Sequence, residues 1–242
     1  MPSYRGYRFP PEIISHAVWL YHRFSLSFRD EEDLLAERGI TVTYETIRQW
    51  CLTFGIDYAR RLRSRRGRQG DTWHLDKLFI RIQGRQQYLW RAVDEDGDEI
   101  DILVQPRRNR RAAIRFFRKL LKTQGGTPRR LITDKLPSYG AACRTVMPSV
   151  VHRTDQYANN RAEVSHERTR QRERQMRGFK TVGHLQRFAS VHGVVQNLFR
   201  VGRHFLGLSV RDGARLRVMA ERHLPSWSSP PGRYQACRSN TP

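Results

Sequence analysis

Between positions 73 and 105 the chain runs through three apolar segments separated only by tight turns, and no other stretch limits the possible folds so severely. The segments are 73–82, 87–94 and 99–105. Gly84-Arg85 joins the first pair, and Asp96-Gly97, a strong hairpin dipeptide, joins the second. Connections this short permit only antiparallel pairing, so a three-stranded meander is expected. A helix over 109–122 follows, with Ala112, Ala113, Phe116, Phe117, Leu120 and Leu121 on its buried face. A short strand over 130–134, a fifth over 149–152 and helices over 160–176 and 182–201 complete the pattern.

The order β-β-β-α-β-α-β-α is that of the RNase H-like fold. The expected class is α/β, with a mixed five-stranded sheet and flanking helices over residues 73–205. Trp73 and Trp90 read as core residues. Ahead of this domain, residues 1–57 read as an all-α helix-turn-helix unit. Ile13, Ile14, Ala17, Val18, Leu20 and Tyr21 recur at helical spacing. Ser27-Phe28-Arg29-Asp30 opens a second helix, Gly39 closes it, and Thr43 caps a third that buries Ile47, Trp50, Cys51 and Phe54. The exposed positions of that third helix are Tyr44, Glu45, Arg48 and Gln49. Residues 58–72, with Arg63, Arg65 and Arg66, read as a basic linker. Residues 206–242 read as a partly disordered tail with a helix over 211–223.

Lys plus Arg number 45 against 23 Asp plus Glu in 242 residues, a net charge of +22. Arg supplies most of it and pairs bidentately with phosphate, so a nucleic acid is the expected partner. No apolar run approaches the roughly 18 residues of a membrane span, and no signal core follows Met1. A cytoplasmic, nucleoid-associated protein is expected. Cys51, Cys143 and Cys237 lack metal-ligand spacing and read as reduced thiols.

Against this basic background three carboxylates are conspicuous. Asp76 lies inside the first apolar segment, Asp134 ends Leu131-Ile132-Thr133, and Glu163 starts a long polar helix. A carboxylate at the end of a buried strand is costly unless compensated, and a divalent cation is the usual compensation where several converge. In an RNase H-like sheet the first and fourth strands are neighbours, so Asp76 and Asp134 meet at one edge and Glu163 can reach them. Asp134 can instead cap the helix after it, and Glu167 can replace Glu163. The acidic turn of Asp94, Glu95, Asp96, Asp98, Glu99 and Asp101 reads as a solvated hairpin tip. His74 shares a strand face with Asp76 and reads as a packing residue. The Arg168, Arg170, Arg172, Arg174 and Arg177 series reads as a basic helix face.

Five motifs together resemble the DDE transposases of bacterial insertion sequences, most closely the insertion-sequence-six group. They are Trp73-His74-Leu75-Asp76, Tyr88-Leu89-Trp90-Arg91-Ala92-Val93-Asp94, Arg107-Arg108-Asn109-Arg110-Arg111-Ala112-Ala113, Ile132-Thr133-Asp134-Lys135 and Asn159-Asn160-Arg161-Ala162-Glu163. Ser27-Phe28-Arg29-Asp30 and Ala36-Glu37-Arg38-Gly39 match as well. The resemblance implies that Asp76, Asp134 and Glu163 are the catalytic triad and hold two Mg²⁺ ions, for which Mn²⁺ can substitute. It also implies a basic residue seven positions after the glutamate, here Arg170. The expected DNA contacts are Tyr44, Arg48, Gln49, Arg63, Arg65, Arg66, Lys135 and Arg170. The expected partners are double-stranded DNA, as terminal inverted repeats and target, and a second copy of the chain, as a homodimer or higher oligomer. Two features depart from the family. Lys77 replaces an acidic residue and should point away from the metal site, since successive strand side chains face opposite ways. The 28 residues between Asp134 and Glu163 are fewer than the family's usual spacing. A decayed copy that only binds DNA is the alternative reading.

Overall fold

The computed structural model describes residues 4–64, 70–154 and 160–198, the side chains of 160–165 excepted. The described residues fall into two compact units, one reaching Asp57 and the other beginning at Tyr58.

In the first unit α1 (Pro11–Arg23) opens on a proline, whose missing N–H would have no helical partner there. It buries Ile13, Ile14, Ala17, Val18 and Tyr21. The expected capping box opens α2 (Phe28–Ala36): Asp30 N donates to Ser27 Oγ at 3.1 Å and Ser27 N to Asp30 Oδ2 at 2.7 Å. Gly39 follows with φ +74°, a left-handed turn that a side chain would resist. Thr43 Oγ1 accepts from Thr46 N at 3.3 Å at the start of α3 (Tyr44–Ser64). Ile47, Trp50 and Phe54 are buried as expected, whereas Cys51 is only half-buried.

Helix α3 runs to Ser64, so residues 58–64 are helical where a linker is expected. Ala59 is fully buried, and Arg63 is half-buried with its guanidinium donating to Ser190 O at 2.8 Å. These contacts hold the segment, and Arg63 is not on a loose arm. Arg65 and Arg66 lie outside the described residues, as do the tail over 206–242, its helix over 211–223, and Cys237.

The second unit carries a five-stranded sheet in the order β3-β2-β1-β4-β5. Its strands are β1 (Thr72–Ile82), β2 (Arg85–Asp94), β3 (Glu99–Gln105), β4 (Arg130–Thr133) and β5 (Val151–Arg153). The first three form the expected antiparallel meander, and β4 and β5 add in parallel. The first hairpin turns on Gln83-Gly84, one residue earlier than expected, with φ of +50° and +74°. Two positive φ values match a primed turn, whose twist suits the strands. The β2–β3 register slips from Ala92–Asp101 to Val93–Glu99, leaving Ile100 as a bulge.

Asn109 caps α4 (Arg110–Gln124), and Gly125 ends it at φ +69°. With α5 (Pro137–Val146) it covers one sheet face. Trp73, Leu75, Trp90, Ala92, Phe116, Phe117, Leu120 and Tyr139 form the core there, so both tryptophans pack as expected. The other face meets α6 (Asn160–Gln175) and α7 (Val182–Asn197). This is the RNase H-like fold: an antiparallel meander extended in parallel from its first strand and sandwiched by helices.

The acidic turn is not a solvated tip throughout. Asp94, Glu99 and Asp101 are 5%, 5% and 3% exposed. Asp101 accepts from Lys119 Nζ at 2.6 Å and from Thr123 Oγ1 at 3.1 Å, and Glu99 lies 3.1 Å from Arg91 Nε. Helices α4 and α7 pack on β3, and this cover buries carboxylates that the sequence places beside a turn.

Asp94 Oδ1 accepts from Asp96 N at 3.1 Å and Asp98 N at 2.7 Å. Burial nevertheless lifts its pKa from 3.8 to about 6, with the Asp98 and Asp96 charges adding to the rise. Its folded pKa is the higher one. Its stabilising proton is therefore held fully below about pH 4 and lost as pH rises through about 6. Asp94→Asn keeps the acceptor without the charge. It should stabilise the protein at pH 7 by ~1–3 kcal/mol and flatten its stability between pH ~4 and ~6, read by urea unfolding across pH. An unchanged pH profile would refute the buried charge.

Gly193 sits inside α7, where alanine normally gains about 1 kcal/mol. Here a Cβ would fall 1.9 Å from Glu99 Oε1. That carboxylate is buried and paired with Arg91, so it cannot swing aside cheaply. Gly193→Ala should therefore destabilise by ~1–3 kcal/mol in denaturant unfolding. A stabilised variant would show that α7 does not press on β3 at this point.

Candidate active site

Strands β1 and β4 pair in parallel from Thr72–Arg130 to Leu75–Thr133. The residue after the last pair is an aspartate in both segments, so Asp76 and Asp134 stand side by side where the pairing ends. Neighbouring strands are about 4.8 Å apart, close enough for two carboxylates to share a ligand. Asp76 lies within the ladder, opposite Arg91 of β2. Asp134 lies one residue past its strand.

Each carboxylate has a protein partner. Asp76 Oδ2 is 3.0 Å from His166 Nε2 of α6. Burial pushes the Asp76 pKa up, but the His166 hydrogen bond and charge, the Lys77 N–H and the Lys77 ammonium outweigh it and leave it below the usual range. Burial pulls the His166 pKa down, with the Arg91 and Arg170 charges adding to the fall and Asp76 opposing it. Asp134 Oδ1 accepts from Leu136 N at 3.1 Å and so caps the turn into α5. Its Oδ2 accepts from Lys77 Nζ.

Lys77 thus corrects an expectation. It does face away from Asp76, toward the α5 side, with its ammonium 5.6 Å from the Tyr139 ring centre. It nevertheless reaches Asp134, because a residue beyond the strand end is not bound by strand alternation. Only 7% of the Lys77 side chain is exposed. Tyr139 is fully buried and its hydroxyl is raised well above the usual range, by burial first and then by Asp134 and Asp76. Both aspartates therefore act electrically on one point in the core.

Glu163 lies on α6 one turn before His166, with its side chain outside the described residues. Among the described side chains, no group of three or more His, Cys, Asp or Glu could hold a metal ion. The donor chemistry still fits a divalent cation. Two adjacent carboxylates offer hard oxygen ligands, and both already attract a donor of positive or partial positive charge.

The expected DNA contacts fare differently. Tyr44 is exposed beneath the Arg29 guanidinium, 5.3 Å from its ring centre. Arg48 Nε and Nη2 donate to Glu45 at 2.8 and 2.6 Å, and Gln49 Nε2 donates to the same carboxylate at 2.9 Å. Those bonds hold Glu45 down to about 2. Lys135 is exposed beside Asp134. Arg170 donates to Glu173 at 2.9 Å and, with Arg174 and Arg177, lines an open cleft. Arg172 departs from the expected basic helix face. Residues 166, 169 and 172 form the stripe of α6 turned to the sheet, and Arg172 is 2% exposed, stacked 5.3 Å from the Phe188 ring centre. His74 is buried, as a packing residue should be.

A family model described as a DDE domain matches residues 70–202. The transposase for insertion sequence-like element IS431mec of Staphylococcus aureus strain Mu50 is 30% identical over 186 residues, 75% of this chain and 83% of the relative. The transposase for insertion sequence element IS257 in transposon Tn4003, also from Staphylococcus aureus, matches to the same extent. The chain belongs to the DDE transposases of the insertion-sequence-six group. Among solved structures, the transposase is similar to the catalytic core of HTLV-2 integrase in complex with magnesium. That match has 14% identity and a TM-score of 0.40, over 56% of this chain and 90% of that one. The BIV integrase core is similar at 15% identity and a TM-score of 0.37, over 64% and 99% of the two chains.

His166 and Arg91 are the site residues that sequence reasoning missed. For His166 a signal existed: it follows Glu163 by three, one helical turn, on the face already assigned to catalysis. Arg91 had none, since only the β1–β2 register puts it opposite Asp76.

Proposed function

We propose that the transposase binds the terminal inverted repeats of its insertion sequence and catalyses Mg²⁺-dependent strand cleavage and strand transfer. Asp76, Asp134 and Glu163 are the residues that would hold two Mg²⁺ ions, or Mn²⁺ in their place. When bound, such ions activate the attacking oxygen and neutralise the leaving one. The observation that carries the reading is the pair Asp76 and Asp134, side by side where β1–β4 pairing ends. Water, then a DNA 3′-hydroxyl, attacks phosphodiesters in line. The protein's own share is positioning and charge, as in other phosphoryl transfers.

In this reading Lys135 and Arg170 hold backbone phosphates beside the carboxylates, and Arg174 and Arg177 extend that path along the cleft. Arg63, Arg65 and Arg66 add charge for the duplex. Tyr44, Arg48 and Gln49 read the terminal repeat, and Arg48 exchanges Glu45 for DNA as it does so. Two element ends must be held together, so the active form is a homodimer or higher oligomer. No described helix is long and apolar enough to cross a membrane, and the proposed setting is nucleoid DNA in the cytoplasm.

The Lys77 ion pair with Asp134 favours one second reading, a catalytically silent copy retained as a DNA-binding protein. Strand cleavage of a terminal-repeat duplex by the wild type and by Glu163→Gln separates the two. Equal, negligible cleavage with intact DNA binding would leave only the silent copy.

A further inference from the structure

We propose that His166 is the positioning residue for Asp76, its Nε2–H holding Oδ2 so that the carboxylate meets a divalent cation in one fixed orientation. The inference rests on the reading above that Asp76 is a metal ligand. The two atoms are 3.0 Å apart, and the side chains are 8% and 16% exposed. An ionised carboxylate can only accept, so the hydrogen bond puts a proton on Nε2. Nδ1 is buried without a hydrogen-bond partner among the described residues.

That asymmetry separates a support from a ligand. A metal-bound histidine almost always donates its other N–H to a carboxylate, carbonyl or water. Were Nε2 to bind metal here, the proton would move to Nδ1 and become a buried donor with no acceptor among the described residues. The present arrangement avoids this, since the proton lies on the side of Asp76.

The ring is also well anchored from behind. His166 shares the sheet-facing stripe of α6 with Thr169 and Arg172, which are 1% and 2% exposed. Thr169 Oγ1 accepts from Arg91 Nη2, and Arg91 stands opposite Asp76 on β2. The helix that carries Glu163 is therefore tied to β1 through His166 and to β2 through Thr169. The same imidazole that orients Asp76 sets how far away the start of α6 lies.

The full-length chain tests this by Mn²⁺ titration, with free Mn²⁺ followed by electron paramagnetic resonance. Wild type is compared with His166→Gln, His166→Asn and Asp76→Asn, with the fold of each checked by circular dichroism. The Gln amide nitrogen can reach the Nε2 position and the shorter Asn amide cannot. His166→Asn should bind Mn²⁺ ~10–100-fold more weakly, the loss typical of removing a support to a metal ligand. His166→Gln should stay close to the wild type. If His166→Asn does not fold, His166→Leu fills the volume without a donor and gives the same contrast. Wild-type affinity in the donor-less variant overturns the proposal, and so does a glutamine variant as weak as it. Should Asp76→Asn itself bind like the wild type, the assignment of Asp76 as a ligand fails, whatever happens at position 166.

Discussion

A Glu163→Gln transposase should bind a terminal-repeat duplex as tightly as the wild type and cleave it about a thousandfold more slowly. Glutamine keeps the size and helix propensity of glutamate and removes only the charge. If Glu163 is one of three carboxylate ligands, as proposed, its loss would remove several kcal/mol of stabilisation from a transition state whose charge the cations neutralise. At ~1.4 kcal/mol per factor of ten, about 4 kcal/mol gives the stated loss. Mobility-shift titration measures binding and denaturing gels measure nicking, both in Mg²⁺. A variant that cleaves as fast as the wild type would remove Glu163 from the site and point to Glu167, one turn on. A variant that no longer binds would show that the change disturbed the fold or the DNA surface, and the comparison would pass to Asp134→Asn.

The second large effect is on stability. Arg91→Met should destabilise the transposase by ~3–5 kcal/mol, the usual cost of leaving one member of a buried ion pair alone. The guanidinium is 3% exposed, pairs with Glu99 at 3.1 Å and donates to Thr169. Burial pulls its pKa down, and Glu99 and then Asp76 pull the other way. Methionine fills similar volume, so the loss isolates charge from packing. Adding Glu99→Gln to Arg91→Met should recover much of the stability, because the uncompensated carboxylate is then gone. Equilibrium unfolding of the two single variants and the double variant gives the coupling directly. A single variant within ~1 kcal/mol of the wild type would mean that the pair is solvated and that β2 tolerates a neutral centre.

Local signals carried most of the fold. The hairpin dipeptides, the Ser27–Asp30 box, the Gly39 stop and the apolar face of the fourth helix each depend on residues a few positions apart. Each was legible for that reason. Asp76 beside Asp134 was legible too, because strand order alone makes β1 and β4 neighbours. What escaped depended on register or on distant cover. Glu99 and Asp101 look solvated next to Asp96-Gly97, and it is the packing of α7 and α4 on β3 that covers them. Arg91 looks like one basic residue among many until β2 is aligned with β1. Arg63 sits in a run so rich in arginine that composition suggested a linker, while its contacts are to the distant Asp101 and Ser190. Lys77 obeyed alternation, and it was Asp134, beyond the end of its strand, that did not.

The early end of β4 at Thr133 has a mechanical meaning. One side of the candidate site, Asp76, lies within an eleven-residue strand and is paired there with β2. The other, Asp134, belongs to no ladder and is held by a lysine and a turn. In the proposed reading, Asp134 is thus the ligand that can adjust to a cation by exchanging Lys77 for it, without breaking a sheet hydrogen bond.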